Sequence, residues 1–227
     1  MTTDHDPIPL FREHGTGAVS DSLDLVGHNG GLPGLARQSG VGVIVGPAYT
    51  LRYEPVAPGE PAPAGEFIDD VPAGSVVVIA NAGRTHCTVW GDILSEVANR
   101  RGVVGTVIDG CCRDLGEIRA LDYPVWSLGS YMKSGKNRVR LVAVAEPIDV
   151  CGTTVHPGDL VCADDAGVVI VPDRLVKETA ANVAKVVTME AGVRADIARG
   201  VPLREARRRH GYNLAPLAQG GPSMVKS

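Results

Sequence analysis

Ser75-Val-Val-Val-Ile-Ala-Asn81 is the segment that decides the fold of this 227-residue chain. A run of apolar, β-branched residues with polar ends is typical of a buried strand. Ile93-Leu94 and Val97-Ala98 follow at helical spacing, and Val103-Val-Gly-Thr-Val-Ile-Asp109 is a second apolar run. The pattern predicts a strand, a helix and a parallel strand joined by a right-handed crossover. The loop before Asp92 and the residues that follow the second run should therefore meet at the carboxyl edge of the sheet, which ligands favour.

The rest of the chain predicts a mixed α/β fold in a single domain over residues 1–227, with a disordered start at about residues 1–6. We see no repeat, no low-complexity segment and no convincing linker. Helices are expected at residues 8–14, around Val19, Leu23 and Val26, at 114–121, and over a long C-terminal stretch at about 174–199. Strands are expected at 41–45, 48–53, 124–127, 139–145, 148–151, 160–163 and 168–171.

Composition limits the classes of function. The net charge of -4 argues against a nucleic-acid partner, and the one basic cluster, residues 204–209, is interpreted as a solvated helix face. No apolar run approaches membrane-spanning length, so we expect no membrane partner. Five cysteines without a CxxC pair indicate reduced thiols and a cytoplasmic protein.

Three carboxylates and a guanidinium form the candidate site. Asp92 is followed after twenty residues by Arg113 and Asp114, and Glu117 comes two residues later. Two helix starts and an arginine then converge on one sheet edge, where the backbone amides of residues 91–94 and Arg113 offer an anion pocket. The carboxylates would repel an anionic substrate unless a cation lay between them. A divalent ion on Asp114, supported through water by Asp92 and Glu117, resolves that conflict.

Each of these residues also has a purely structural interpretation. Asp114 and Glu117 have the spacing of a capping box, and Asp92 could complement a helix dipole. Asp164-Asp165 precedes Ala-Gly and is better explained by a turn than by a metal site. The segment 129–137 has five residues between its glycines and no Ser/Thr after its lysine, so it is not a phosphate-binding loop. The Cys111-Cys112 pair is interpreted as buried thiols rather than a redox site.

Several motifs resemble one known family. They are Trp90-Gly91-Asp92, Asp109-Gly-Cys-Cys-Arg113-Asp114-Leu-Gly-Glu117, Tyr123-Pro-Val-Trp126, and the stretch from His156 to Pro172. Together they resemble the RraA-like family, in particular its 4-hydroxy-4-methyl-2-oxoglutarate and 4-carboxy-4-hydroxy-2-oxoadipate aldolase branch. The resemblance implies a single-domain α/β/β/α sandwich of the swivelling-domain type, assembled as homotrimers or homohexamers with active sites between subunits.

The same resemblance implies a class II pyruvate aldolase, a metal-dependent carbon-carbon lyase that also decarboxylates oxaloacetate. Mg²⁺ or Mn²⁺ would be held by Asp114 and, through water, by Glu117, while Arg113 and Asp92 act on a 2-oxo acid substrate. Glu190 from the long helix of the neighbouring subunit would complete the catalytic set. The alternative is a non-catalytic RraA-like regulator that binds a ribonuclease. The implied substrate-binding residues are Gly91, Asp92, Ile93, Leu94 and Arg113.

Overall fold

β-Strands form the framework of the structure, a computed structural model in which residues 6–212 are described. The predicted disordered start therefore lies outside the described residues, apart from Asp6. The helices and strands of the described range are α1 (Ile8–Asp24), β1 (Ala36–Ser39), β2 (Ile44–Pro55), β3 (Val76–Thr88), α2 (Asp92–Arg100), β4 (Gly105–Cys112), α3 (Leu115–Ala120), β5 (Val125–Ser130), β6 (Val139–Val144), β7 (Ile148–Val150), β8 (Thr153–Val155), β9 (Leu160–Asp164), β10 (Gly167–Val171), α4 (Val176–Ala198) and α5 (Leu203–Arg209).

The predicted strand, helix and strand unit is confirmed as β3, α2 and β4. The two strands are parallel, with Val76 opposite Gly105 and Ala80 opposite Asp109. Beyond Ala80 the ladder is interrupted by irregular register, and β3 continues to Thr88, which lies opposite Cys111. The carboxyl ends of both strands therefore reach the same edge of the sheet.

Strand β2 links the two parts of the sheet. The sequence predicts two strands at 41–45 and 48–53, but the structure has one twelve-residue strand. Its first part pairs antiparallel with β9, and its second part pairs parallel with β3. Pro47, which has no N–H to donate, lies where the partner changes. Gly46 is required there because an added Cβ would lie 2.3 Å from the carbonyl oxygen of Gly74.

Three hydrophobic cores separate four layers, which confirms the α/β/β/α sandwich. The strand order is β1-β5-β4-β3-β2-β9-β10, and β6 also pairs with β2. One core packs α2 and α3 against β3 and β4, the second lies between these strands and β9 and β10, and the third packs α1 and α4 over the outer face of β9 and β10. Representative members are Ala98, Ile118 and Ile79 in the first core, Val78, Val107 and Ile170 in the second, and Phe11, Val183 and Cys162 in the third.

Two predictions from local sequence are confirmed, the N-terminal helices and the turn at Asp164-Asp165. The two predicted N-terminal helices are α1, which is interrupted at Gly15 with φ 73°. Asp164 stabilises this break by accepting hydrogen bonds from Thr16 N at 2.8 Å and Thr16 Oγ1 at 2.7 Å, and it also caps its own turn through the Ala166 amide. The turn interpretation of Asp164-Asp165 is thus confirmed. The short strands β1 and β8 were not predicted.

The described residues contain no helix that is both long and apolar enough to cross a membrane.

Candidate active site

Gly91, Arg113 and Asp114 meet at the carboxyl edge of β3 and β4, as the spacing predicts. The backbone N–H of Arg113 donates to the Trp90 carbonyl oxygen at 3.1 Å, which ties the end of β4 to the loop before α2. The Cα of Gly91 faces both side chains, since an added Cβ would lie 2.7 Å from Asp114 Oδ2 and 3.4 Å from Arg113 Nε. The absence of a side chain at Gly91 therefore allows the arginine and the carboxylate to approach the α2 N-terminus.

Asp114 has a strained backbone and an unsatisfied carboxylate oxygen. Its φ of 58° and ψ of 40° place it in the left-handed region, and its side chain makes no hydrogen bond that caps α3. The capping-box interpretation of Asp114 is therefore wrong. Its Oδ2 lies 3.0 Å from Arg113 Nε as an ion pair, yet this buried oxygen has no hydrogen-bond partner among the described residues. Strain and an unmet buried acceptor at one residue are features that cluster at functional sites.

A cavity of about 210 Å³ opens beside this cluster. Residues 91–94 and Arg113, which the resemblance implies as substrate-binding, line it, whereas Asp114 and Glu117 do not. Asp92 begins α2, and its Oδ1 accepts a hydrogen bond from the Ile93 amide at 2.8 Å. That contact agrees with the structural role considered for Asp92 in the first turn. It also means that the Ile93 amide, one of the predicted anion donors, is engaged by Asp92.

Glu117 and Glu190 lie away from this cavity within the chain. Glu117 is exposed on α3. Glu190 lies on α4, forms an ion pair with Arg194 at 2.9 Å, and lines a separate groove against α1 together with Glu13 and Asp21. A single chain therefore does not bring Glu190 to Arg113, and its predicted role depends on a neighbouring subunit.

A second wall of the cavity was missed by sequence reasoning. It consists of Tyr53 from β2, residues 63–65 from the loop before β3, and residues 134–136 from the loop before β6. Burial raises the pKa of the Tyr53 phenol, so its hydroxyl stays protonated at neutral pH. Residues 57–65 carry only the Pro/Ala/Gly signal of a surface connection, and nothing local indicates that they reach β6.

The cysteines and carboxylates limit the chemistry available at this edge. Cys111 and Cys112 are buried free thiols, and burial raises the pKa of both, which disfavours the reactive thiolate. The described residues contain no cluster of three or more His, Cys, Asp or Glu side chains suited to a metal ion. Mg²⁺, however, usually keeps several waters and needs only one or two protein carboxylates. The Asp114 carboxylate is partly exposed and does not cap α3, so it fits such a sparse donor set.

Comparisons with known proteins agree with this architecture. The chain is 40% identical over 196 residues to protein DlpA of Legionella pneumophila, covering 86% of this chain but only 32% of DlpA. It is 30% identical over 168 residues to a Halalkalibacterium halodurans protein named "Putative 4-hydroxy-4-methyl-2-oxoglutarate aldolase", covering 74% of this chain and 77% of that protein.

Two solved structures show the same fold. An uncharacterised protein from Pseudomonas syringae pv. tomato superimposes with a TM-score of 0.81 at 40% identity, covering 88% of this chain and 96% of the other. Streptomyces coelicolor RraAS2, described as an unusual member of the RNase ES inhibitor RraA family, gives a TM-score of 0.76 at 26% identity, covering 85% and 98%. Residues 16–170 match the sequence profile of the RraA-like family, described as Aldolase/RraA. The chain belongs to the RraA-like family.

Proposed function

We propose that the protein is a divalent-metal-dependent pyruvate aldolase that cleaves a 4-hydroxy-2-oxo acid to pyruvate and a carbonyl compound. The observation that carries this proposal is the close approach of the Arg113 and Asp114 side chains to Gly91 beside a cavity lined by the α2 N-terminus. The name of the Halalkalibacterium relative supports the same reaction class. The free cysteines suit a reducing, cytoplasmic setting.

The residues of the cavity match the charge that develops during cleavage. Breaking the C3–C4 bond leaves the pyruvate enolate, whose negative charge falls on the C2 oxygen. Arg113 lines the cavity with a planar guanidinium that binds the substrate carboxylate and this oxygen together. The N-terminal end of α2 adds a favourable dipole for the same anion. Asp92, at the start of α2, accepts the C4 hydroxyl proton through an intervening water, and protonation of the enolate at C3 then gives pyruvate.

Asp114 would hold Mg²⁺ or Mn²⁺, with Glu117 contributing through water. When bound, such an ion acts as a Lewis acid toward the 2-oxo acid. Because Asp114 does not cap α3, Asp114→Ala should remain folded, with an unchanged circular dichroism spectrum, and should lose Mn²⁺ binding measured by calorimetry. A variant that unfolds, or one that binds Mn²⁺ normally, would contradict this assignment.

Pyruvate release tests the reaction. Wild-type protein should release pyruvate from 4-hydroxy-2-oxo acids and from oxaloacetate, because both routes give the same enolate, and EDTA followed by desalting should abolish the activity. Arg113→Lys keeps the positive charge but loses the paired N–H donors of the guanidinium, and it should lower turnover roughly 100-fold. Arg100→Lys is the matched control, since Arg100 is exposed at the far end of α2 and pairs with Glu96 on the same helix. Full activity after chelation, or a normal Arg113→Lys variant, would refute the proposal.

We further propose that the active site is shared between subunits of a homotrimer or homohexamer, with Glu190 of one chain serving Arg113 of the next. The separation of Glu190 from the cavity within one chain motivates this assignment. Arg113→Ala and Glu190→Ala should each be nearly inactive, and a mixture that exchanges subunits should recover part of the activity. A mixture that stays inactive despite confirmed exchange would contradict a shared site.

The likeness to RraAS2 makes a ribonuclease-binding regulator the second candidate function. A regulator needs no catalytic turnover, so inhibition of the ribonuclease should be unchanged in Asp114→Ala. Inhibition of an RNase E-type enzyme by both wild type and Asp114→Ala, without pyruvate release by the wild type, would favour it over the aldolase.

A further inference from the structure

Two loops from distant parts of the chain are joined at Asn137. Its backbone N–H donates to the Ala62 carbonyl oxygen at 2.8 Å, and its Oδ1 accepts from the Ala62 N–H at 2.9 Å. Asn137 has φ 59°, a conformation that asparagine tolerates better than most residues, and Ala62 is fully buried. These two hydrogen bonds hold the loop before β3 against the loop before β6.

A second contact ties the loop before β3 to the start of β6. Arg140 forms an ion pair with Glu60, and its Nη2 also donates to the Pro61 carbonyl oxygen at 3.3 Å. The loop before β6 is also anchored to the end of β3. The Gly135 amide donates to the Thr88 carbonyl oxygen at 2.7 Å. The two loops therefore present one continuous wall to the cavity, made of residues 63–65 and 134–136, and we call this the two-loop wall.

The two-loop wall contributes one charge to the cavity. Arg113 and Lys136 are the cationic residues among those that line it, and Asp92 is the acidic one. No ion pair within residues 6–212 involves Lys136 or its neighbours Lys133 and Arg138. Lys136 is exposed, and once Arg113 binds the carboxylate of the 2-oxo acid, Lys136 is the second cation available to the cavity.

We propose that the two-loop wall recognises the half of the substrate that leaves as the carbonyl compound, and that Lys136 selects a carboxylate on that half. This inference rests on the proposed aldolase function. Asn137 is a positioning residue, because it acts by holding the two loops together. The remaining lining of the cavity is largely apolar, including Val89, Trp90 and Val139, so a carboxylate there depends on Lys136 for a charged partner.

Two substrates that differ in one charge test the role of Lys136. 4-Hydroxy-2-oxoglutarate carries a carboxylate on C4 and releases glyoxylate, whereas 4-hydroxy-2-oxopentanoate carries a methyl group and releases acetaldehyde. Lys136→Glu should raise KM for the first roughly tenfold or more and change KM for the second less than about twofold. Lys133→Glu is the matched control, because Lys133 is exposed on the same loop but does not line the cavity, and it should leave both KM values within about twofold.

Substitutions of Asn137 test its positioning role. Asn137→Gly keeps the left-handed backbone accessible but loses the acceptor for the Ala62 amide, so it should raise KM for both 4-hydroxy-2-oxo acids severalfold with oxaloacetate decarboxylation unchanged. Asn137→Asp keeps the acceptor and should restore both KM values. A merely structural residue would instead change all three activities together with the melting temperature.

The outcomes separate the two proposals. If the wild type releases no pyruvate from any of the three compounds, the aldolase function fails and this inference fails with it. If the wild type is active but Lys136→Glu affects both 4-hydroxy-2-oxo acids equally, or Lys133→Glu matches it, Lys136 does not select the substrate and only this inference is overturned.

Discussion

Gly91→Ala is the sharpest test of the contact between the α2 N-terminus and the Arg113 and Asp114 pair. The new Cβ would lie 2.7 Å from Asp114 Oδ2 and 3.3 Å from Arg113 Cγ. An ordinary contact needs about 3.5 Å, so the carboxylate must retreat by roughly 0.8 Å or α2 must shift. A displacement near 1 Å in a catalytic site can cost about 100-fold in rate. We therefore expect turnover to fall roughly 10- to 100-fold, with a loss of about 1–3 kcal/mol in unfolding free energy from overpacking.

Gly116→Ala provides the matched control for that prediction. Gly116 lies in α3, three residues after Arg113, and an added Cβ there would meet no atom within 4 Å. Alanine in a helix should stabilise the protein by up to about 1 kcal/mol and leave pyruvate release within about twofold. The assay is pyruvate release well below the melting temperature, combined with urea unfolding of both variants. Activity of Gly91→Ala within twofold of the wild type, or a loss fully explained by the unfolded fraction, would refute the reasoning.

Three further predictions concern Asp164, Trp126 and Cys112. Burial tends to raise the pKa of Asp164, but hydrogen bonds from Thr16 and neighbouring amides outweigh this effect, so the folded pKa is below the unfolded one. The stability that Asp164 contributes is therefore present above about pH 4, the unfolded pKa, and is lost as the pH falls through the lower folded pKa. Asp164→Asn should flatten the decline in melting temperature between about pH 5 and pH 2. Trp126 Nε1 donates to the Asp164 carbonyl oxygen at 2.9 Å, so Trp126→Phe should cost about 1–3 kcal/mol in urea unfolding, and a neutral substitution would show that water replaces this bond. Burial raises the pKa of Cys112, so a thiol reagent at pH 7 should label it far more slowly in native than in urea-unfolded protein, and equal rates would contradict its burial.

The sequence alone was sufficient for the part of the site that follows from one βαβ unit. Parallel strands joined by a right-handed crossover must end at the same edge, so the apolar runs of β3 and β4 already placed Gly91 and Arg113 together. The long helix α4 and the turn at Asp164 were also predictable. Their signals are local, because helical periodicity and turn chemistry depend on residues a few positions apart.

Only the tertiary structure decided the parts that depend on contacts distant in sequence. The left-handed backbone of Asp114 excludes the capping box that its spacing to Glu117 suggested. The single strand β2 continues through Gly46-Pro47 because β9 and β3 supply partners on either side, which no local propensity encodes. The bond between Asn137 and Ala62 spans 75 residues, and it turns a segment rich in proline and alanine into a wall of the cavity. Periodicity specifies which residues share a face of an element, whereas the pairing of distant loops is set by packing of the whole chain.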